Sequence, residues 1–255
     1  MTFTTTDDQE EIYFQQHGTT GDTTLVFVSG YFGVTHIWEP LIDRLASRYR
    51  CVAYDSRGYG RSSKPTPADA YSIARHAADL HAVLQHLALD RVVLVTHSMG
   101  GNIAAEYALT HPDHVQGIVY TAVHFDGQHL ATHLPLEAVL AGIDTPSHCV
   151  ALFTGMGLDA ATAHEAAKWP AYALRHNASA LLTFAIGDRY SALAVPALVV
   201  QGGEDRASPV ACCARPVVHA MPSCRLEVLP GVNHFPPTEA PAEVERLVDG
   251  FVRGL

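Results

Sequence analysis

Residues 92–105, VVLVTHSMGGNIAA, decide the fold. They begin as a continuous apolar run, which is typical of a strand covered on both faces in a parallel sheet. The small residues around Ser98 then predict a sharp turn into a helix. Such a turn lifts the serine hydroxyl above the edge of the sheet, where the first N–H groups of the helix favour negative charge. The stretch therefore predicts a nucleophilic serine beside an oxyanion site.

Apolar runs and amphipathic helices alternate along most of the chain. Short apolar runs lie at residues 25–28, 118–120 and 197–200, and helix-period patterns lie between them and at the end. Residues 11–16 are more polar and predict an early antiparallel strand near the sheet edge. Strands that alternate with helices predict the α/β class, as a three-layer sandwich around a mostly parallel sheet.

One region interrupts the alternation. Residues 125–194 contain helical pattern at 159–175 and 179–185 and no strong strand. The length of 255 residues suits one large domain with an insertion better than two domains. We therefore expect a core of residues 1–124 and 195–255, with residues 125–194 forming a helical cap over the sheet.

Composition excludes several classes of protein. The net charge of -10 argues against binding to nucleic acid, which requires clustered positive charge. No apolar run is long enough to span a membrane, and the N-terminus lacks a signal-peptide pattern, so a cytoplasmic location is expected. Five cysteines without a CxxC pair favour reduced thiols over a disulfide framework.

A serine nucleophile needs a base, and the base needs an acid to orient it. Asp205 follows the run at 197–200 in a glycine-rich loop, and His234 lies just before the final amphipathic helix. The order Ser98, Asp205, His234 places all three side chains in loops at one edge of the sheet. Asp126, shortly after the apolar run at 118–120, is the main alternative for the acid.

The chain has 16 histidines, which raises the question of a metal site. His129 and His133 are one helical turn apart, and His124 precedes them, but no acidic or cysteine ligand joins them at ligand spacing. We therefore predict no metal. His97 precedes the nucleophile, and its side chain should point away from the substrate because neighbouring positions on such a turn diverge.

Five segments, in this order, resemble the α/β-hydrolase superfamily. They are SGYFG at 29–33, DSRGYGRS at 55–62, the turn at Ser98, and the loops of Asp205 and His234. The resemblance covers nearly the whole chain and implies eight strands with the cap inserted after the sixth. It also implies an oxyanion hole made by the backbone N–H groups of Tyr31 and Met99.

Two positions depart from the family pattern. Thr96 stands where the family usually has glycine, two residues before the serine, and Ser29 stands where a histidine is common. We expect the hydroxyl of Ser29 to hold the oxyanion loop in place of that histidine. The residues expected around the substrate pocket are Gly30, Phe32, Trp38, His97, Phe125 and Phe235; for Trp38, core packing is an equal alternative.

These features predict a serine hydrolase that cleaves a carboxylic ester or lactone of a small or medium apolar compound through an acyl-enzyme on Ser98. No cofactor is expected, and the expected partner is the small-molecule substrate alone. The same triad also suits C–C bond hydrolysis or a cofactor-free perhydrolase of the haloperoxidase kind. A ligand-binding protein with slow turnover is the alternative from a different class.

Overall fold

A computed structural model describes residues 2–18, 22–31 and 33–255. Its centre is an eight-stranded sheet with the order β1-β2-β4-β3-β5-β6-β7-β8. The first two strands pair antiparallel, as does β2 with β4, and all later pairs are parallel. The strands are β1 (Phe3–Thr5), β2 (Glu11–His17), β3 (Thr24–Val28), β4 (Arg50–Tyr54), β5 (Val92–His97), β6 (Val115–Thr121), β7 (Ala197–Gly202) and β8 (Cys224–Leu229).

Helices cover both faces of this sheet. On β6, the backbone of Gly117 lies against the ring of Phe251, while Tyr120 lies against Gly101. Because residues 117 and 120 point to opposite faces of a strand, these two contacts mark opposite helical layers. One layer contains α1 (Glu39–Leu45) and α11 (Pro241–Val252), and the other contains α2 (Ile73–His86) and α3 (Met99–Thr110). The predicted three-layer α/β architecture is confirmed.

The segment between β6 and β7 is helical in the structure. The long helical pattern predicted at 159–175 is wrong in one respect, because it divides into two helices, α7 (Ala160–Ala166) and α8 (Ala171–Thr183), on either side of Pro170. Proline disfavours helical backbone in the residue before it and lacks the N–H that a helix interior needs. The helices of this segment are α4 (Gly127–Ala131), α5 (Leu136–Val139), α6 (Pro146–Gly155), α7 (Ala160–Ala166) and α8 (Ala171–Thr183).

No helix among the described residues combines the length and the apolar character needed to cross a membrane.

Shorter elements complete the chain. Short 3-10 turns lie at Thr35–Trp38, Ala68–Ala70, Pro112–His114 and Gly187–Ala192, a π-turn lies at Val210–Ala214, and two short helices are α9 (Arg215–Ala220) and α10 (Pro236–Glu239).

A buried ion pair joins the loop after β4 to α2. The guanidinium of Arg57 donates from Nε and Nη2 to the two carboxylate oxygens of Asp79, over 2.7 and 2.6 Å. Both side chains are fully buried. The backbone carbonyl of Arg57 accepts a hydrogen bond from Nδ2 of Asn177 on α8, over 3.4 Å. The ion pair therefore lies where the core contacts the helical segment.

We predict that Arg57→Met lowers the free energy of unfolding by about 3 to 5 kcal/mol, because it leaves the Asp79 carboxylate buried without its partner. The double variant Arg57→Met/Asp79→Leu should recover part of this loss. Urea unfolding followed by circular dichroism measures both. Arg75→Met, which breaks an exposed pair with Asp7, is the control and should cost at most about 1 kcal/mol. Equal losses for Arg57→Met and Arg75→Met would contradict the prediction.

Candidate active site

Ser98 occupies a strained turn between β5 and α3. Its backbone has a φ of 51°, a region that side-chain-bearing residues rarely adopt. The turn is fixed from both sides, because the N–H of Ser98 donates to the carbonyl of Thr121 over 2.9 Å and its carbonyl accepts from Gly101 over 2.8 Å. The predicted strand, turn and helix around this serine are therefore present.

The loop after β3 lies directly against this turn. A Cβ on Gly30 would come within 2.5 Å of the His97 carbonyl oxygen and 2.9 Å of the Ser98 Cβ. A Cβ on Gly100 would collide with the carbonyl oxygen of Val28. Both positions therefore need glycine for the two backbones to approach.

This approach brings the two predicted oxyanion residues to the serine. Tyr31 follows Gly30 and lines the same cavity as Ser98. Met99 begins α3, and no side chain caps this end of the helix. The first N–H groups of a helix have no partner within the helix, so they favour negative charge beside Ser98. The oxyanion roles of the Tyr31 and Met99 N–H groups stay a prediction.

The two departures from the family pattern are accommodated by hydrogen bonds. The hydroxyl of Thr96 donates to the carbonyl of Val119 on the neighbouring strand, over 3.2 Å. The hydroxyl of Ser29 accepts a hydrogen bond from the indole Nε1 of Trp38, over 2.9 Å. Both Ser29 and Trp38 are fully buried. Ser29 therefore ties the loop after β3 to the turn that precedes α1.

Asp205 and His234 form a buried pair at the same edge of the sheet. The Nδ1 atom of His234 lies 2.8 Å from Oδ2 of Asp205. The other carboxylate oxygen accepts the backbone N–H groups of Ala207 and Ser208, over 2.9 and 2.8 Å. Because the carboxylate can only accept, Nδ1 of His234 carries the proton, which leaves Nε2 as the basic atom.

The environment of Asp205 favours its ionised form. Burial alone raises the pKa of this carboxyl, but the charge of His234, its hydrogen bond and the Ser208 N–H together hold the pKa below its ordinary value. An ionised acid beside His234 is suited to stabilising an imidazolium.

The alternative acid, Asp126, lies in a different environment. Its carboxylate accepts the N–H of His129 at the start of α4, over 2.8 Å, and the N–H of Ile186, over 3.2 Å. Asp126 therefore caps a helix and joins the two ends of the helical segment, whereas Asp205 is the carboxylate that contacts His234.

The backbone around His234 is held on every side. Its N–H donates to the carbonyl of Met156 over 3.0 Å, just after α6. Its carbonyl lies 2.8 Å from Nε2 of His97. The carboxylate of Glu239 accepts the N–H groups of the two flanking residues, Asn233 and Phe235, over 2.9 and 2.8 Å. The imidazole is therefore presented by a loop with little freedom to move.

His97 supports this loop and does not face the cavity. Burial and the neighbouring His234 lower the pKa of His97 to about 3, so the ring is neutral near pH 7. Its Nε2–H must be the donor to the His234 carbonyl, since a carbonyl only accepts. The ring also stacks on Phe235, with centroids 4.7 Å apart. The prediction that His97 points away from the substrate agrees with this placement.

A cavity of about 240 Å³ lies between the serine and the helical segment. Its aliphatic and aromatic wall comes mainly from α4, α5, α6 and α8, and its polar lining residues come from outside the segment between β6 and β7. It is small for a ligand site, since such sites usually span several hundred Å³. The lining residues are Tyr31, Ser98, Leu130, Leu134, Ala138, Val139, Leu152, Phe153, Met156, Leu181, Arg206, Ala207, Ser208, His234 and Phe235.

The expected pocket residues divide into three groups. Phe235 lines the cavity, and Phe32 lies outside the described residues. The other four are not among its described lining residues, which corrects their placement. Gly30 packs against the serine turn, and Trp38 is hydrogen-bonded to Ser29. His97 is hydrogen-bonded to the His234 carbonyl, and Phe125 packs on Tyr190 with ring centroids 4.9 Å apart.

The three histidines considered for a metal have separate surroundings. His124 is fully buried. Its burial, and to a smaller extent the charge of the nearby His234, lower its pKa to about 3. His129 bonds to the carbonyl of Cys212 over 2.7 Å, and its ring contacts that of His133. Within residues 2–18, 22–31 and 33–255, no group of three or more His, Cys, Asp or Glu side chains is arranged to hold a metal ion.

Sequence reasoning missed the residues that hold Asp205 and His234 in place. Glu239 and Met156 fix the backbone of His234, and Gln201 contacts Asp205 through Nε2 over 2.9 Å. For Gln201 a signal was present, because an amide within an otherwise buried apolar strand must find hydrogen-bond partners. For Met156 no signal was present, since its contribution is a backbone carbonyl.

Comparisons with known proteins agree with this geometry. A family model described as the alpha/beta hydrolase fold matches residues 23–143. The chain is 27% identical to a putative carbamate hydrolase RutD from Caulobacter sp. strain K31, over 95% of this chain and 96% of that protein. It is 28% identical to a non-heme haloperoxidase from Rhodococcus erythropolis, over 92% and 93% of the two chains.

A solved structure extends the likeness to three dimensions. Est816, described as an N-acyl homoserine lactone degrading enzyme, superposes with a TM-score of 0.83 at 29% identity. The match covers 98% of this chain and 99% of that one. Together with the sheet order and the turn at Ser98, these comparisons show that the chain belongs to the α/β-hydrolase superfamily.

Proposed function

We propose that the protein is a serine hydrolase that cleaves a carboxylic ester or lactone with a small or medium apolar acyl group. The observation that carries the proposal is the juxtaposition of Ser98 and His234 in one apolar cavity, with Asp205 bonded to the far nitrogen of the imidazole. A relative described as lactone-degrading, 29% identical over nearly the whole chain, supports the same class of substrate.

The reaction proceeds in two halves. Nε2 of His234 accepts the proton of Ser98 Oγ as that oxygen attacks the carbonyl carbon, and the resulting oxyanion accepts hydrogen bonds from the N–H groups of Tyr31 and Met99. The imidazolium, stabilised by Asp205, then gives its proton to the departing alkoxide oxygen. In the second half, His234 takes a proton from water as the water oxygen attacks the acyl carbon. The bond between that carbon and Ser98 Oγ then breaks, Oγ takes the proton from the imidazolium, and the carboxylic acid leaves.

A second candidate function is hydrolysis of a carbamate on the same residues. The full-length likeness to a putative carbamate hydrolase favours it. A carbamate carbonyl would need the same nucleophile and oxyanion donors, so the two candidates differ only in the atom beside the carbonyl. Parallel assays with p-nitrophenyl esters, lactones and carbamates of equal chain length distinguish them by the ratio of kcat/KM.

We predict that the wild-type protein reacts with a fluorophosphonate probe and hydrolyses p-nitrophenyl esters, while Ser98→Ala does neither. Ester kcat should fall by about 10⁴-fold or more in Ser98→Ala and by about 10⁴-fold in Asp205→Asn, because the latter loses the carboxylate that stabilises the imidazolium. Asp126→Asn is the matched control, and its kcat should stay within about threefold of wild type. Absence of labelling and turnover would exclude the proposed function, and a large loss confined to Asp126→Asn would overturn the choice of acid.

We predict that the lowered pKa of Asp205 stabilises the fold only above mildly acidic pH. A carboxyl with a lower pKa in the folded state adds stability above its ordinary pKa, near 4, and loses it as the pH falls through the folded value. The difference in free energy of unfolding between wild type and Asp205→Asn should therefore be largest above about pH 5 and shrink below about pH 4. Urea unfolding at several pH values measures it, with exposed Asp188→Asn as control. A difference that grows on acidification would contradict the prediction.

We predict that the cavity wall sets the length of the acyl group. Ala138→Phe should reduce kcat/KM for a p-nitrophenyl hexanoate by about 10- to 100-fold, because the ring occupies space needed by the chain, and should leave the acetate within about twofold. Ala141→Phe, an exposed position outside the cavity lining, is the control. Equal losses on both esters would mean that the acyl group lies elsewhere.

A further inference from the structure

Gln201 is a fully buried polar side chain at the end of β7. Every residue of this strand is buried, and the others carry apolar side chains or none. A buried amide without partners would destabilise the fold, so its hydrogen bonds must be accounted for.

The partners of Gln201 fix the orientation of its amide. Oε1 accepts the backbone N–H of Val123 over 3.0 Å, just beyond β6. Nε2 donates to Oδ2 of Asp205 over 2.9 Å and to the carbonyl of Ser208 over 2.6 Å. A carboxylate and a carbonyl can only accept, and an N–H can only donate, so the amide cannot be reversed. The side chain therefore holds the Asp205 loop against the end of β6.

The amide and the imidazole share one carboxylate oxygen. Oδ2 of Asp205 takes both the Nε2–H of Gln201 and the Nδ1–H of His234, over 2.9 and 2.8 Å. A second donor on this oxygen disperses its negative charge and fixes its position. It thereby limits how strongly the carboxylate attracts the imidazole proton.

We propose that Gln201 is a positioning residue that aims the Asp205 carboxylate at His234 and moderates its charge. This inference rests on the proposed hydrolase function and assigns a role to a side chain outside the triad. Gln201 is not among the described residues that line the cavity, so it acts through Asp205 and the loop that carries Asp205 and Ser208.

The first test is the pH dependence of ester hydrolysis in Gln201→Met, which keeps the length of the side chain and removes its donors. Loss of one hydrogen bond to a charged group should lower kcat by about 10-fold with KM unchanged. The acidic limb of the kcat/KM profile should move to higher pH, because the carboxylate becomes a stronger partner for the imidazolium. Exposed Gln85→Met is the matched control and should behave as wild type.

Gln201→Glu provides a second variant that keeps both the size and the acceptor for Val123. Its second oxygen, when ionised, faces Asp205 and repels it, so kcat should fall more than in Gln201→Met at pH 8. The deficit should decrease at lower pH, where a protonated Glu donates to Asp205 as the amide does. A pH-independent deficit in both variants would indicate a purely structural role and overturn the inference.

A double-mutant cycle and NMR complete the test. In an Asp205→Asn background, Gln201→Met should cost no more than about twofold, whereas an additive loss would overturn the inference. The downfield proton resonance of His234 Nδ1–H, assigned by its loss in Asp205→Asn, should shift in Gln201→Met, and an unchanged resonance would also overturn the inference. This signal needs no substrate, so it tests the inference independently of turnover. Failure of the proposed function would instead show as the absence of any ester, lactone or carbamate turnover.

Discussion

The close approach of two backbones at the C-terminal edge of the sheet is the constraint on which the site depends. Ser98 adopts a positive φ, and the loop after β3 fits against it because Gly30 and Gly100 have no side chains. The strain is offset by hydrogen bonds of Ser98 to Thr121 and Gly101. With a bulkier residue at either glycine, the loop after β3 and the start of α3 would have to separate.

Around this turn, a chain of hydrogen bonds holds the imidazole of His234 in place. Gln201 bonds to Asp205, Asp205 bonds to His234, and His97 and Glu239 hold the backbone that carries the imidazole. Each of these groups is wholly or partly buried. Away from water, hydrogen bonds to charges are stronger and an unpaired polar group is more costly. Burial thus gives the arrangement its rigidity and keeps His97 neutral.

The sequence predicted those features that depend on local pattern. The buried strands, the turn at Ser98 and the order of Ser98, Asp205 and His234 each leave a short signature, and the parallel sheet brings them to one edge. The partners of a distant contact leave no such signature. A lone amide in the apolar strand β7 indicates that Gln201 needs partners, but not that one of them is the N–H of Val123, 78 residues earlier. The partners of Trp38 and His97 are equally hidden from the sequence. Pro170 is a helix breaker that the sequence shows directly. The helical pattern that continues on both sides of it nevertheless predicts one long helix in place of two.

The helical segment and the proposed base share one short stretch of chain. Met156 places its side chain in the cavity wall and accepts the His234 N–H through its carbonyl, and the neighbouring Gly155 carbonyl accepts from Asn233 over 3.2 Å. Beside them, Gly157 has a φ of 103°, and its backbone lies so close to Glu239 that a Cβ would meet the carboxylate. The end of α6 therefore cannot move away from the sheet without disturbing the loop that holds the imidazole. Consequently the cavity wall and the position of the His234 imidazole are set by the same contacts.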